Sequence, residues 1–290
     1  MKQGEHSSFF TFSFLTILMG LPVQAWTQSA EDFGFELRNK VTAQILVDVS
    51  SLADGSVAYT YEIRSSSASI QSIATFALQL DVSISSANVV SPSGWESLGC
   101  CVTDTRRTAK TGIKAIEWGP TADDRFIRPG ASSGGFKLTA KSLPAPKLFY
   151  VEGYTRNDIP EGEPTEEETQ VLIDLQDPFN NSFSGQTLGA DPIPLVIDIA
   201  SLIGRLISLK HQSVSLGWIF GPGSDGIVKS LDAKLDAAKA AVARGQNKAA
   251  SNQLNAFINE LNALRGKKLN ENAFFLLKVN AEFILSKLGP

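Results

Sequence analysis

The chain has 290 residues, an apolar fraction of 43% and a formal net charge of −4. That length accommodates two domains of ordinary size, and that composition supports packed cores, which excludes disorder throughout. The charge is divided: residues 26–196 carry 13 Lys+Arg against 22 Asp+Glu, and residues 197–290 carry 12 against 7. Two units with different surfaces follow, and because the basic charges are spread along helices, nucleic acid is a poor partner.

At the N-terminus, Lys2 precedes the uncharged, mostly apolar run Phe9–Leu21, and Val23-Gln24-Ala25 places small residues at the −3 and −1 positions of a cleavage site. This is the pattern of a secretory signal peptide, residues 1–25, with the mature chain starting at Trp26. The run is shorter than the roughly 20 apolar residues that span a bilayer, so the expected product is secreted, extracellular or periplasmic, with no membrane span. An uncleaved N-terminal anchor is the alternative.

Residues 26–190 read as one β-domain, with strand signals from Phe33 to about Leu175. Val57–Ser65 alternates Val57, Tyr59, Tyr61 and Ile63 against Ala58, Thr60, Glu62 and Arg64, and Thr75–Ser83 repeats the pattern with Phe76, Leu78 and Leu80. A period of two marks a half-buried strand. Further strands are expected at Phe35–Arg38, Ala43–Val49, Ala87–Val90, Ile113–Trp118, Gly135–Ala140, Lys147–Gly153 and Gln170–Leu175, separated by clusters of Ser, Gly, Pro and Asn. Many short strands without an intervening helical period predict an antiparallel β-sandwich. Pro144 and Pro146 cannot donate to a ladder, so they belong on an edge or between strands. The only cysteines, Cys100 and Cys101, are adjacent. They are two buried thiols or a strained bridge between neighbours whose Cα atoms lie about 3.8 Å apart.

The acidic stretch Thr155–Gln170 reads as a solvated loop. Its alternative is a weak calcium site using Glu161, Glu163, Glu166 and Glu167, since clustered carboxylates suit a hard cation. Asp177–Pro194 is rich in turn formers and prolines and is taken as the connector, with the boundary near Asp191.

Residues 191–290 then turn helical. Ile199, Leu202, Ile203, Leu206 and Leu209 keep helical spacing, and Trp218, Ile219 and Phe220 are expected to plug the bundle. The next helix starts with Ser224 as N-cap and closes at Gly245. Another carries Ala250, Leu254, Phe257, Leu261 and Leu264, and the last follows Asn270. Alanines on either side of "RGQNK" allow close approach, predicting an αα-hairpin with a third helix packed across it. The fold class is therefore multidomain β + α, an antiparallel β-sandwich followed by a small helical bundle.

Two resemblances add to this reading. "SLDAKLDAAKAAVARGQNKAASNQLNAFINELNALRGKKL" and "AFFLLKVNAEFIL", with "SLGWIFGPGSDGI", resemble the FIMAH-type helical module of bacterial secreted proteins. This resemblance implies an accessory, interaction-mediating bundle and brings no catalytic residues. "FIRPGASSGGFKLTAKSLPAPKLFYVEGY" loosely resembles the later strands of cohesin-type and carbohydrate-binding sandwiches.

Catalytic chemistry finds little material. After the leader, His211 is the only histidine, which excludes a His-based zinc cluster and leaves a Ser-His-Asp triad without a nucleophile elbow. Glu62, Asp81, Glu96 and Glu117 lie on or near predicted strands and are the acids that glycoside hydrolysis would need to oppose. For sugar binding by aromatic stacking, the candidates are Trp95, in the loop "SGWES", Tyr150 and Tyr154, whereas Trp118 is expected in the core. The expectation is a secreted non-enzymatic recognition or scaffold protein without a catalytic site or cofactor, calcium aside. Its partner is another secreted or cell-surface protein, or a polysaccharide. A carbohydrate-binding protein and a hydrolase of unrecognised type are the alternatives.

Overall fold

The computed structural model describes residues 36–80, 87–99, 115–155, 165–167, 169 and 182–289. Its strands are β1 (Ala43–Ser51), β2 (Val57–Ser65), β3 (Ile73–Gln79), β4 (Asn88–Val90), β5 (Trp95–Gly99), β6 (Ala115–Pro120), β7 (Ser132–Ala140), β8 (Ser142–Gly153) and β9 (Phe183–Pro192). They form a four-stranded sheet ordered β1-β2-β7-β4 and a five-stranded sheet ordered β5-β6-β3-β8-β9. Every pairing is antiparallel.

Alternation sets which side chains meet between the sheets. Tyr59, Tyr61 and Ile63 of β2 are wholly buried, whereas Thr60 and Glu62 are partly exposed and Arg64 is exposed. The centre is aromatic. Phe76 stacks on Trp118 with centroids 5.2 Å apart, and Phe136 meets both rings edge-on. Such pairs add about 0.5–1.5 kcal/mol each beyond area burial. The two tyrosines satisfy their hydroxyls inside this core: Tyr61 donates to the Leu188 carbonyl (3.0 Å), and the Tyr59 and Ser142 hydroxyls share a hydrogen bond (3.1 Å).

The five-stranded sheet contains a strand that the sequence reading assigns to the connector. β9 pairs with the whole of β8 up to Val151. Its glycines hide it, since they interrupt alternation, yet the packing demands them. A Cβ on Gly185 would sit 2.8 Å from the Phe149 ring, and one on Gly189 would sit 2.9 Å from the Lys147 stem. β8 also runs straight through Pro144 and Pro146. Its pairing with β3 covers only Phe149–Gly153, so the proline half of β8 is a local edge where a missing N–H costs no ladder bond. The expected strand at Phe35–Arg38 is not formed among its described residues, and the one at Gln170–Leu175 lies outside them.

The helices are α1 (Ile199–Ser215), α2 (Ser224–Ala243), α3 (Asn247–Leu264) and α4 (Glu271–Leu288). α1 starts where the Asp198 carboxylate accepts from Ser201 N, and α4 starts where Asn270 accepts from Ala273 N. At α2 the N-cap is Gly223, in the left-handed region, and Ser224 is the first helical residue rather than the cap. Gly245 follows the α2 C-cap with φ +69° and returns its N–H to Val242, as a C′ glycine does. Trp218 and Ile219 plug the bundle as expected, but Phe220 is 41% exposed.

α4 joins the two units. Ala273, Phe274, Phe275, Leu276, Leu277, Val279, Asn280, Ala281, Ile284 and Leu288 are all buried, nearly the full circumference of the helix. One side packs on α1 and α3, and the other on β1, β8 and β9. A helix with apolar residues on two opposed sides needs a partner on each, and its polar strip of Glu271, Lys278 and Glu282 faces outward. α4 thereby covers β1, an edge strand, beside the proline half of β8, and covering is one way to protect an exposed edge.

Candidate functional site

The aromatic candidates do not form one platform. Trp95 is not a loop residue. It opens β5 opposite Pro120, is 6% exposed, and meets Phe136 edge-on at 5.1 Å. Gly94 produces the turn that sends it inward: its φ is +82°, and the Arg125 stem crosses where a Cβ would stand. Tyr150 on β8 is 2% exposed. Tyr154, just past β8, is the exposed one. Its N–H is fixed to Ser72 O (2.7 Å), and its ring lies 4.4 Å from that of Phe126 at 30°. Ile70, two residues before Ser72 and 77% exposed, extends apolar surface at this end of the sandwich. Trp118 is in the core, fully buried.

Among the described residues, Glu62, Glu96 and Glu117 do not oppose one another across a cleft. Glu62 is held bidentate by Arg64 on the outer face of β2, at 2.7 and 3.2 Å, and this hydrogen-bonded guanidinium keeps its carboxyl below the usual range. Glu117 lies across from Ala77 within the five-stranded sheet, and Glu96 is exposed on β5. Asp81 lies outside the described residues, as do Glu161, Glu163, Cys100 and Cys101. Glu166 and Glu167 are exposed on a short helical segment. Among the described residues no three His, Cys, Asp or Glu side chains gather as metal ligands, and no helix is long and apolar enough to cross a membrane.

His211 is exposed on α1, its Nε2 3.7 Å from Asp232 Oδ1 on α2. The same carboxylate pairs with Lys210, whose side chain is fully buried between the helices. A buried cation beside a single carboxylate fixes how α1 lies on α2. It does not resemble a triad, whose base must face a nucleophile.

Polar chemistry converges instead where the two units meet, on residues that the sequence reading does not single out. Asp191, at the end of β9, accepts from Lys147 of β8 at 2.6 Å and from Arg205 of α1 at 2.7 Å. Asn280 of α4 donates its amide to Pro144 O at 3.0 Å and to Leu276 O at 2.7 Å, and is 4% exposed. Two hollows flank this junction. One, about 230 Å³, lies between the β1–β2 turn and α4, and Ser56, Ser142, Val279 and Phe283 line it. The other, about 380 Å³, runs over the outer face of β1 and β2 beside α4, between Asp48, Thr60, Glu62 and Gly134 on the sheet and Glu271 and Phe275 on the helix. In the first, Glu282 pairs with Lys278 (2.9 Å), while the Ser56 and Ser142 hydroxyls bond to Asp54 and Tyr59 and not to Glu282. The outward surfaces of α2 and α3, which touch each other and, on their inner sides, α1 and α4, stay open.

The family model for the FIMAH domain matches residues 223–286, which comprise α2, α3 and most of α4; α1 precedes the match. No curated protein matches the chain. Among solved structures, a crystal structure of an uncharacterized protein from Nocardia farcinica, described as revealing an immunoglobulin-like fold, aligns with 43% of this chain and 91% of its own. Its identity is 14% and its TM-score 0.29, too low to carry an argument.

Proposed function

We propose that the protein is a secreted, non-enzymatic recognition or scaffold protein whose sandwich carries the FIMAH-matching bundle as its interaction module. The observation that carries this reading is the double burial of α4. A helix anchored on the sandwich holds the bundle in one orientation, so the outer faces of α2 and α3 form a fixed surface turned toward a partner. Preorganisation of this kind lowers the entropic cost of binding. Exchange of amide hydrogens tests it, with the protein incubated against cell-surface protein and polysaccharide fractions. Protection mapping to α2 and α3 supports the reading, and protection confined to the strands refutes it.

Tyr154 favours a second reading, in which the sandwich itself binds carbohydrate, because its ring is accessible and already braced by Phe126. On that reading Tyr154→Ala abolishes retention on a polysaccharide column, whereas unchanged retention removes it.

A further inference from the structure

Eight asparagines lie from Asn247 to Asn280 along α3, α4 and the turn between them, and they divide into two groups. Asn247 donates to Leu288 O, Asn270 caps α4, and Asn280 bonds across to the sandwich. Asn272 lines a hollow beside β1. Asn252, Asn255, Asn259 and Asn262 are different. All four are exposed, and none makes a side-chain hydrogen bond among the described residues. Their spacing of three, four and three residues places them in one stripe along α3. α3 packs chiefly on α2 and α4, and the four asparagines stay exposed on its remaining face.

Helix formation does not account for them. Asparagine is a weaker helix former than the Ala, Lys or Glu used elsewhere in the bundle, because its side chain competes for backbone hydrogen bonds. Four such residues on one exposed face give up stability without an internal bond in return. What they supply is a row of carboxamides, each offering two donors and one acceptor oxygen, at about 5 Å intervals along the axis. Ala249, Ala256 and Ala263 lie alongside and keep the face flat. Between Asn252 and Asn262 the row carries no charge, and exposed Lys248 and Arg265 bound it at either end.

We infer that this stripe binds an extended, uncharged polysaccharide, with successive carboxamides hydrogen-bonding the hydroxyls of successive sugar units. The axial repeat is comparable to the length of one pyranose in an extended chain, and a neutral row of donors and acceptors matches neutral hydroxyls. A protein helix fits less well, since alanine and asparagine provide no large apolar anchor for a protein interface. The inference rests on the reading of the bundle as a recognition module and names its ligand class.

The test compares the whole protein with the variant combining Asn252→Ala, Asn255→Ala, Asn259→Ala and Asn262→Ala. Both are applied to microcrystalline cellulose, chitin and an insoluble neutral β-glucan, with an acidic polysaccharide beside them. Alanine favours the helix, so the variant keeps or gains helical circular dichroism and thermal stability, and lost binding is not lost folding. The expected result is retention of the protein on at least one neutral polymer and at least a tenfold weaker retention of the variant. Equal retention of the two overturns the assignment, as does retention lost in Tyr154→Ala alone. Absence of retention on every neutral polymer also overturns it. If exchange protection on α2 and α3 by a protein partner accompanies that absence, the recognition reading stands while the polysaccharide falls. Sedimentation velocity adds a last outcome: self-association abolished by the four substitutions gives this face to a second copy and overturns the proposal.

Discussion

The sandwich centres on a cluster of touching aromatic rings, whereas in the bundle α2 and α3 meet through leucine and alanine side chains and a charge is buried between α1 and α2. In the sandwich, Phe76, Trp118, Phe136 and Trp95 meet ring to ring, and the hydroxyls of Tyr59 and Tyr61 find partners in the core, whereas Trp118 Nε1 is buried without one. In the bundle, Leu231, Leu235, Ala238, Ala241, Ala250 and Leu254 draw α2 and α3 together, and Lys210 is buried against Asp232. The difference follows from geometry. Two sheets pack about 10 Å apart and need long side chains to bridge the gap, whereas small residues let helices approach closely and leave orientation to be fixed by something directional.

The largest expected effect strikes the aromatic core. Phe136→Ala removes a ring that touches Phe76, Trp118 and Trp95 at once. It should cost about 3–5 kcal/mol in denaturant unfolding, and a loss below about 1 kcal/mol would mean that the rings repack without it.

The buried charge gives the next effect. Asp232→Ala leaves the Lys210 ammonium enclosed and unpaired and should cost about 3 kcal/mol, whereas Lys210→Met, which keeps volume and removes the charge, should cost less than about 1.5 kcal/mol. Helical circular dichroism during unfolding reads both. A Met variant worse than the Ala variant would show that the lysine stabilises the bundle by more than orientation.

Asn280→Ala follows. It deprives Pro144 O of its cross-unit donor and should cost about 1–2 kcal/mol. The comparison sharpens if tyrosine fluorescence and helical dichroism coincide in the parent and separate in the variant, since coincident probes mark a single cooperative transition.

The smallest effect is alkaline. The chain's four tyrosines, Tyr59, Tyr61, Tyr150 and Tyr154, all precede the bundle, so phenolate absorbance reports on the sandwich alone. Burial pushes Tyr59 and Tyr61 upward, favouring the neutral phenol in the fold. Their contribution to stability is complete below the unfolded tyrosine value near pH 10 and is lost as pH rises toward the raised folded values. Phenolate formation at Tyr59 and Tyr61 should therefore lag and then appear together with unfolding. Smooth titration of all four near pH 10 would contradict their burial.

The periodic elements were legible from residues. β2 coincides with the strand expected over Val57–Ser65, and β1, β4, β6 and β7 overlap theirs, because their apolar positions alternate without interruption. The bundle stood out through its stripes and its glycine at position 245. β9 did not, since Gly185 and Gly189 answer to Phe149 and Lys147 on the neighbouring strand, and a single sequence does not print that neighbour beside them. Trp95 was misplaced for a related reason. "SGWES" carries turn residues, but the turn ends at Gly94 and the tryptophan is already in the sheet. Of the site, little could be read in advance. Asp191, Lys147 and Arg205 are unremarkable until the chain folds 14 and 44 residues together. The four asparagines were present as a helical spacing, but their lack of internal partners emerges only once every neighbour has a place.

One consequence of the α4 arrangement concerns what happens when the chain is cut. A fragment starting at Ile197 would retain every residue matched by the FIMAH family, yet Phe275, Val279 and Asn280 would face water on a wall built to be dry. Such a fragment should clump or soften at concentrations where the parent stays monodisperse. Transplanting the module onto another carrier therefore calls for a substitute floor beneath its last helix, or for polar replacements along that side.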